Sequence, residues 1–131
     1  MTRVAFDDSF DPPACVLPVR IAGLDVHGPA ALLRMLVDTG ADCTLIPARI
    51  AKSLRLPVVD KAEIVGVGGR AIAAPVHAAR IRLGNLRVLA RVVALSDECL
   101  LGRDLLNRIV LHIDGPGQIV ETTVRSKRPR R

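Results

Sequence analysis

Residues 36–42 read LVDTGAD and carry the feature that most constrains this chain, an aspartate at the end of an apolar stretch. The preceding residues 30–37 are mainly apolar and β-compatible, so Asp38 is predicted to end a buried strand. A carboxylate in that position is costly unless hydrogen-bond donors or a shared proton compensate for its desolvation. Thr39 and Gly40 are small and let the backbone turn sharply. The alternative is that Asp38 simply begins an Asx turn.

The pattern on both sides of this loop predicts an all-β domain with one or two short helices. Residues 15–21 and 30–37 form a predicted hairpin around a turn region at 23–29, and a helix is predicted at 47–55. Further strands are predicted at 58–65, 70–83 and 86–95, then a short helix behind residue 102 and a strand pair turning at 115–117. Short strands at regular spacing indicate a small closed barrel or sandwich.

Length and composition indicate one globular domain of 131 residues, half of them hydrophobic. We assign residues 1–13 to an N-terminal arm, 14–124 to the domain and 125–131 to a basic tail. The formal charge is +6, and subtracting the five positive charges of the tail leaves the body near +1. This near-neutral body, together with the absence of Trp and Tyr, argues against nucleic-acid binding.

The three cysteines form no CxxC pair, and no histidine stands at zinc-ligand spacing. We therefore expect no metal and no cofactor, and an odd number of thiols fits a reducing cytoplasm. The first ten residues contain acidic Asp7 and Asp8 where a signal peptide would need an apolar run. No segment approaches membrane-spanning length. The predicted location is cytoplasmic, without membrane association.

Two further segments belong with the Asp38 loop. A glycine-rich hairpin turn follows about thirty residues later, at Gly66, Val67, Gly68 and Gly69. A second apolar strand then ends in residues 100–106, LLGRDLL, which echo the Asp38 loop as an apolar strand followed by a tight turn and a helix.

These three segments together resemble the retroviral aspartic protease family, the retropepsins and their cellular relatives. Residues 36–42 match the family's catalytic loop, residues 64–69 are similar to its flap, and residues 100–106 are similar to its Gly-Arg-Asn/Asp motif. They occur in the family's order, and the resemblance covers about residues 15–121. It implies an aspartic endopeptidase with a retropepsin-like barrel in which each chain supplies half an active site.

The residues alone also require a second carboxylate. Peptide hydrolysis without a metal or a covalent nucleophile needs a base to take a proton from water and an acid to give one to the amide. The chain has one Asp-Thr-Gly, and Asp114-Gly115 lacks the hydroxyl residue. A twofold homodimer would place Asp38 against its own copy. Two such carboxylates share one proton, as is characteristic of aspartic proteases.

The resemblance also implies roles for the neighbours of Asp38. Thr39 would link the two catalytic loops across the dimer axis, although it could be an ordinary turn threonine. Asp42 would accept a substrate backbone N–H, and Arg103 would steady that carboxylate as structural support. A purely structural ion pair is an equally good interpretation of Arg103.

The glycines and Ala41 complete the predicted substrate-binding residues. Gly66, Gly68 and Gly69 would form a mobile flap with Val67 at its tip, closing over an extended peptide, unless they form a plain turn. Pepsin-like relatives often carry a hydroxyl at the position of Ala41 that donates to the catalytic carboxylate. Its loss predicts activity at mildly acidic to near-neutral pH.

The competing hypothesis is a catalytically inactive dimerisation or peptide-binding module with the same fold. The intact Asp38-Thr39-Gly40 and the flap glycines favour the peptidase, because a scaffold has no need for an acidic residue there.

Overall fold

A computed structural model describes residues 1–125 as ten strands and two short helices. The N-terminal half contains β1 (Thr2–Ala5), β2 (Val16–Ala22), β3 (Ala30–Val37), β4 (Leu45–Ile46), α1 (Ala48–Ser53) and β5 (Val58–Val65). The C-terminal half contains β6 (Ala71–Leu83), β7 (Leu86–Ala94), β8 (Leu100–Leu101), α2 (Arg103–Leu106), β9 (Val110–Asp114) and β10 (Ile119–Thr123). The predicted hairpins, helices and turns are confirmed, with shifts of one or two residues at their ends.

The larger sheet closes on itself. Its strand order is β2-β3-β8-β4-β7-β6-β5, and β2 also pairs with β6, so six strands form a ring with β5 attached outside it. Closure is possible because β6 is 13 residues long: its C-terminal half pairs with β2 while its N-terminal half pairs with β5. The predicted small closed barrel is confirmed.

Aliphatic side chains fill the barrel, as the near absence of aromatic residues requires. Alternate residues of the strands point inward, which is the period of a β-strand. The fully buried ones include Leu17, Val19, Ile21, Met35 and Ile46. The two helices cover the core with Ile50 and Ala51 of α1 and Leu105 and Leu106 of α2.

The smaller sheet has the order β1-β10-β9 and corrects one expectation about the N-terminus. Residues 1–13 are not merely an arm, because β1 pairs with β10 in antiparallel register and Val4 packs against the main core. The sequence pattern missed this strand because it is only four residues long and its partner lies at the other end of the chain. Of the predicted basic tail, residues 126–131 lie outside the described residues.

One pairing positions the site. β3 and β8 run parallel, with Leu36 opposite Leu100 and Val37 opposite Leu101. Parallel neighbours end at the same edge of a sheet, so the loop after β3 and the loop after β8 leave the barrel side by side. The similarity in sequence pattern between residues 36–42 and residues 100–106 therefore corresponds to two adjacent strands, each followed by a turn.

Candidate active site

Asp38 lies half-buried at the end of β3, in a turn held by its own backbone and side chain. Its N–H donates to the carbonyl of Leu101 at 3.0 Å, which ties it to β8. Its Oδ1 accepts a hydrogen bond from the N–H of Gly40 at 2.9 Å, and its carbonyl accepts one from the N–H of Ala41 at 3.2 Å. The hydrogen bond from the N–H of Gly40 to Oδ1 makes residues 38–40 an Asx turn. The turn leaves Oδ2 free of protein donors in the described residues and fixes the direction of the carboxylate.

The start of α2, directly after β8, supports the Asp38 loop through the backbone and the side chain of Arg103. The N–H of Arg103 donates to the carbonyl of Ala41 at 2.9 Å, and its guanidinium donates to the carbonyl of Thr39 at 2.8 Å. The expected ion pair between Arg103 and Asp42 is not formed within residues 1–125, because the guanidinium reaches the Thr39 carbonyl instead. Asp42 is exposed and its carboxylate is left for other donors.

A buried threonine and an aspartate lock the two loops together. Thr44 is fully buried, and its Oγ1 donates to Oδ1 of Asp104 at 2.7 Å while accepting from the N–H of Gly102 at 3.1 Å. The N–H of Thr44 donates to Oδ2 of Asp104 at 3.2 Å. Sequence reasoning did not identify Thr44 and gave Asp104 no role beyond the Gly-Arg-Asp match. The Gly-Arg-Asp match at residues 102–104 was the one sequence signal that pointed to Asp104, and no signal pointed to Thr44.

Gly102 is required by space and not by backbone conformation. Its φ is −89°, which any residue can adopt, but a Cβ there would overlap the backbone carbonyl of Cys43. The two loops therefore approach each other as closely as their backbones allow.

The glycine-rich segment lies where the flap was expected, in the turn between β5 and β6. Gly68 and Gly69 have φ of +96° and +77°, values that favour glycine, and no atom lies within 4 Å of a Cβ built on either. Val67 at the tip is fully exposed. The structure thus places Gly66, Val67, Gly68 and Gly69 in an unpacked hairpin tip, and does not bring that tip into contact with Asp38.

The base of this hairpin is anchored beside the Asp38 loop. Ala74 and Val76 of β6 form a small buried cluster with Leu45 and Val93. Partly buried residues that pack against the cluster are Cys43, Ala62, Ile64, Leu95 and Leu100. The cluster joins the inner face of the β5–β6 hairpin to both loops of the site.

The thiol of Cys43 is partly buried beside the Asp38 loop, near two carboxylates. Burial raises its pKa, and the negative charges of Asp42 and Asp104 raise the pKa further.

Asp114, the other candidate carboxylate, accepts a hydrogen bond from the N–H of Gly117 at 2.9 Å in the β9–β10 turn and has no part in this site.

The described part of the chain contains no cluster of three or more His, Cys, Asp or Glu side chains suited to a metal ion. Within residues 1–125, no helix is long and apolar enough to cross a membrane.

Residues 24–108 match the model of a family described as "gag-polyprotein putative aspartyl protease". This span covers well over half of the chain and includes the Asp38 loop, the glycine-rich hairpin tip and the Gly102-Arg103 turn. The chain belongs to this family. No curated protein matches its sequence significantly.

Solved structures show the same fold for this retropepsin-like chain. The EIAV protease in complex with the inhibitor HBY-793 is 24% identical, with a TM-score of 0.55, covering 72% of this chain and 86% of that one. The retroviral protease-like domain of Ddi1 from Leishmania major is 20% identical, with a TM-score of 0.50, covering 85% and 87%. The retropepsin-like fold expected from the sequence is therefore confirmed.

Proposed function

We propose that this chain is an aspartic endopeptidase that acts as a homodimer, with Asp38 of each subunit supplying one of the two catalytic carboxylates. Family membership and the retropepsin-like fold support an aspartic protease-like activity at the coarser level. Beyond this level, we propose that Asp38 is the catalytic residue, that two copies of the chain form the active site, and that the reaction is peptide-bond hydrolysis.

The observation that carries the proposal is the construction of the Asp38 turn. The carboxylate is held in one direction by Gly40, and the turn is braced from behind by Leu101, Arg103 and the Thr44–Asp104 pair. Rigid support of a catalytic group in its productive orientation is a large part of catalysis. An ordinary surface turn has no need of this second layer of hydrogen bonds.

A second copy of the chain completes the acid and base. Thr39, Gly40 and Asp42 are exposed around the Asp38 turn, so the edge that carries them is open to another surface. On a twofold axis the same edge of the partner would bring the second Asp38 into the site. Thr39 would then link the two loops across the axis, and Asp42 would be free to accept a backbone N–H of the substrate.

The two carboxylates divide the work of hydrolysis. The ionised Asp38 takes a proton from a water molecule, whose oxygen attacks the carbonyl carbon of the scissile bond, while the protonated Asp38 gives its proton to the carbonyl oxygen. As the resulting diol collapses, one of its hydroxyls gives a proton to the ionised Asp38 while the protonated Asp38 gives its proton to the amide nitrogen, and the C–N bond breaks. The pair is left sharing one proton, as it began.

The hairpin tip supplies what the open site lacks. Gly66, Val67, Gly68 and Gly69 are unpacked, whereas the hairpin base is fixed next to Cys43 and Leu100. A hairpin with a fixed base and an unpacked tip can close over an extended peptide, add backbone hydrogen bonds and exclude water.

All three cysteines are free, which fits the reducing cytoplasm that we propose as the location of the protein.

The deciding experiment compares the wild-type protein with its Asp38→Asn variant on a broad peptide library. Asn keeps the size of the side chain and can still accept the Gly40 N–H, so folding is retained while the base is lost. We expect cleavage by the wild-type protein alone, and inhibition by a transition-state mimic of peptide hydrolysis. Equal cleavage by both proteins would refute the catalytic role of Asp38. A folded dimer that cleaves nothing would favour the inactive binding module.

Mixing tests the shared site. Adding a folded Asp38→Asn chain to the wild-type protein forms mixed dimers with one catalytic carboxylate, so activity falls below simple dilution. Adding an unrelated inert protein at the same concentration is the control. Light scattering during size-exclusion chromatography gives the oligomeric state, and a strictly monomeric protein that still cleaves would contradict the shared mechanism.

A further inference from the structure

An arginine-lined groove lies on the outer face of the barrel, far from the Asp38 loop. It has a volume of about 510 Å³, within the range of small-ligand sites. Its lining includes Arg20, Arg80, Arg82 and Arg87, with Leu24 and Leu89 as exposed apolar walls. Arg20 is opposite Leu32 on β3, and Asp38 lies six positions beyond Leu32, or about 20 Å further along the strand.

Three of these arginines stand in one row across three adjacent strands. Arg20 of β2 is opposite Arg82 of β6, and Arg82 is opposite Arg87 of β7. Neighbouring strands are about 4.8 Å apart, so the three side chains leave the sheet within about 10 Å of one another. Like charges directly opposite each other destabilise a sheet, so this row has an energetic cost in the free protein.

No carboxylate of the described residues neutralises the row. The ion pairs found within residues 1–125 involve Arg3, Arg34, Arg49 and Arg91, none of which lines the groove. The fourth groove arginine, Arg80, is held in place instead. Its Nε donates to the carbonyl of Gly23 at 2.7 Å and a terminal nitrogen donates to the carbonyl of Asp25 at 3.3 Å. Carbonyls orient this guanidinium and leave its charge uncompensated.

We propose that this groove binds a small, soluble polyphosphate, a ligand with adjacent phosphate groups. Guanidinium groups match phosphate oxygens with paired hydrogen bonds, and four of them in one concave site suit several charges close together. An extended acidic peptide fits the row less well, because it would offer carboxylates roughly 7 Å apart along one face, whereas neighbouring arginines of the row stand about 4.8 Å apart. Single-stranded nucleic acid binds through aromatic stacking platforms, and neither Phe6 nor Phe10 lines this groove.

The test uses inorganic tripolyphosphate and the full chain at about 0.15 M salt, where weak long-range attraction is screened. The groove variant is Arg20→Gln, Arg82→Gln and Arg87→Gln combined. The control is Lys52→Gln, Arg55→Gln and Arg108→Gln combined, which removes three exposed positive charges elsewhere and keeps the same tail. Calorimetric titration measures binding, and thermal unfolding follows each protein with and without the anion.

We expect saturable binding of one tripolyphosphate that the groove variant weakens by about tenfold for each arginine removed and the control retains. Without the anion, the groove variant should melt at the same or a higher temperature than wild type, because repulsion is removed. A lower melting temperature would assign the arginines a structural role and overturn the proposal.

Three other results would overturn the proposal. One is the absence of tripolyphosphate binding up to about 1 mM. Another is equal weakening in the two triple variants, which would assign binding to general charge or to the tail. The third is tighter, groove-dependent binding of a single-stranded oligonucleotide or of vesicles with phosphorylated headgroups, which would assign the groove to an extended polyanion or a membrane surface.

Discussion

Thr44 and Asp104, 60 residues apart in the chain, are joined by two hydrogen bonds that fix the loop after β3 to the start of α2. The hydroxyl of Thr44 donates to one carboxylate oxygen of Asp104 at 2.7 Å, and its backbone N–H donates to the other at 3.2 Å. The same hydroxyl accepts from the N–H of Gly102. Asp38 lies on the loop after β3 and Arg103 is the first residue of α2, so this pair holds the segments that carry them together.

Thr44→Val keeps the shape of the side chain and removes only its hydroxyl. The buried N–H of Gly102 loses its acceptor, and Oδ1 of Asp104 loses one of its two donors while keeping the N–H of Leu105. We expect a loss of about 2 kcal/mol of stability in urea unfolding. The proposed peptidase activity should fall about tenfold in kcat/KM as the loops shift. Thr123→Val in β10 is the matched control and should change neither quantity. Unchanged stability of Thr44→Val would show that the pair does not brace the loops.

Gly102→Ala tests how closely the two loops approach. The added methyl group meets the backbone carbonyl of Cys43, which cannot rotate away as a side chain could, so we expect a loss of about 3 kcal/mol in stability. Gly115→Ala, in the β9–β10 turn with open space around it, provides the comparison and should stay close to wild type. Similar denaturation midpoints for the two variants would contradict the close contact.

Local sequence signals were sufficient for most of the barrel. The strand at 58–65 was predicted with the bounds that β5 has, and the Gly84 turn between β6 and β7 has the positive φ, +56°, that such a turn favours. Apolar alternation and turn residues act over a few positions, so they can be read without knowledge of the fold. The Asp38 turn was predictable for the same reason.

Features that depend on distant residues were not predictable. The Thr44–Asp104 pair and the β1–β10 pairing join positions whose proximity is known only once the barrel is closed. Charge shows the same limit. The body sums to about +1, which argued against nucleic-acid binding and gave no sign of a basic groove, yet strand register brings Arg20, Arg82 and Arg87 into one row. A sum over the sequence does not describe where the charges lie.

Ala41→Ser should move the pH optimum of the proposed peptidase toward acid. The backbone at this position already contacts Asp38, since the N–H of Ala41 donates to the Asp38 carbonyl. A hydroxyl there would add a donor to the ionised carboxylate, and we expect a shift of about one pH unit, measured as kcat/KM against pH. Ala48→Ser, on the exposed side of α1, should leave the profile unchanged. A wild-type optimum below about pH 3 would refute the premise.

Cys43 lies next to the Asp38 loop, but its thiol should resist alkylation at neutral pH. Burial raises the pKa of the Cys43 thiol most, and the negative charges of Asp42 and Asp104 raise this pKa further. At any pH below the raised pKa, the folded protein therefore holds less thiolate than a free cysteine does. In a Cys15→Ser, Cys99→Ser background, mass spectrometry of iodoacetamide adducts should show alkylation at least about tenfold slower in the folded than in the unfolded protein at pH 7. Asp42→Asn removes one raising charge and should speed the reaction, whereas Asp60→Asn, exposed on β5, should not. Equal rates for folded and unfolded protein would contradict the assigned environment, because burial and two neighbouring negative charges all oppose the thiolate.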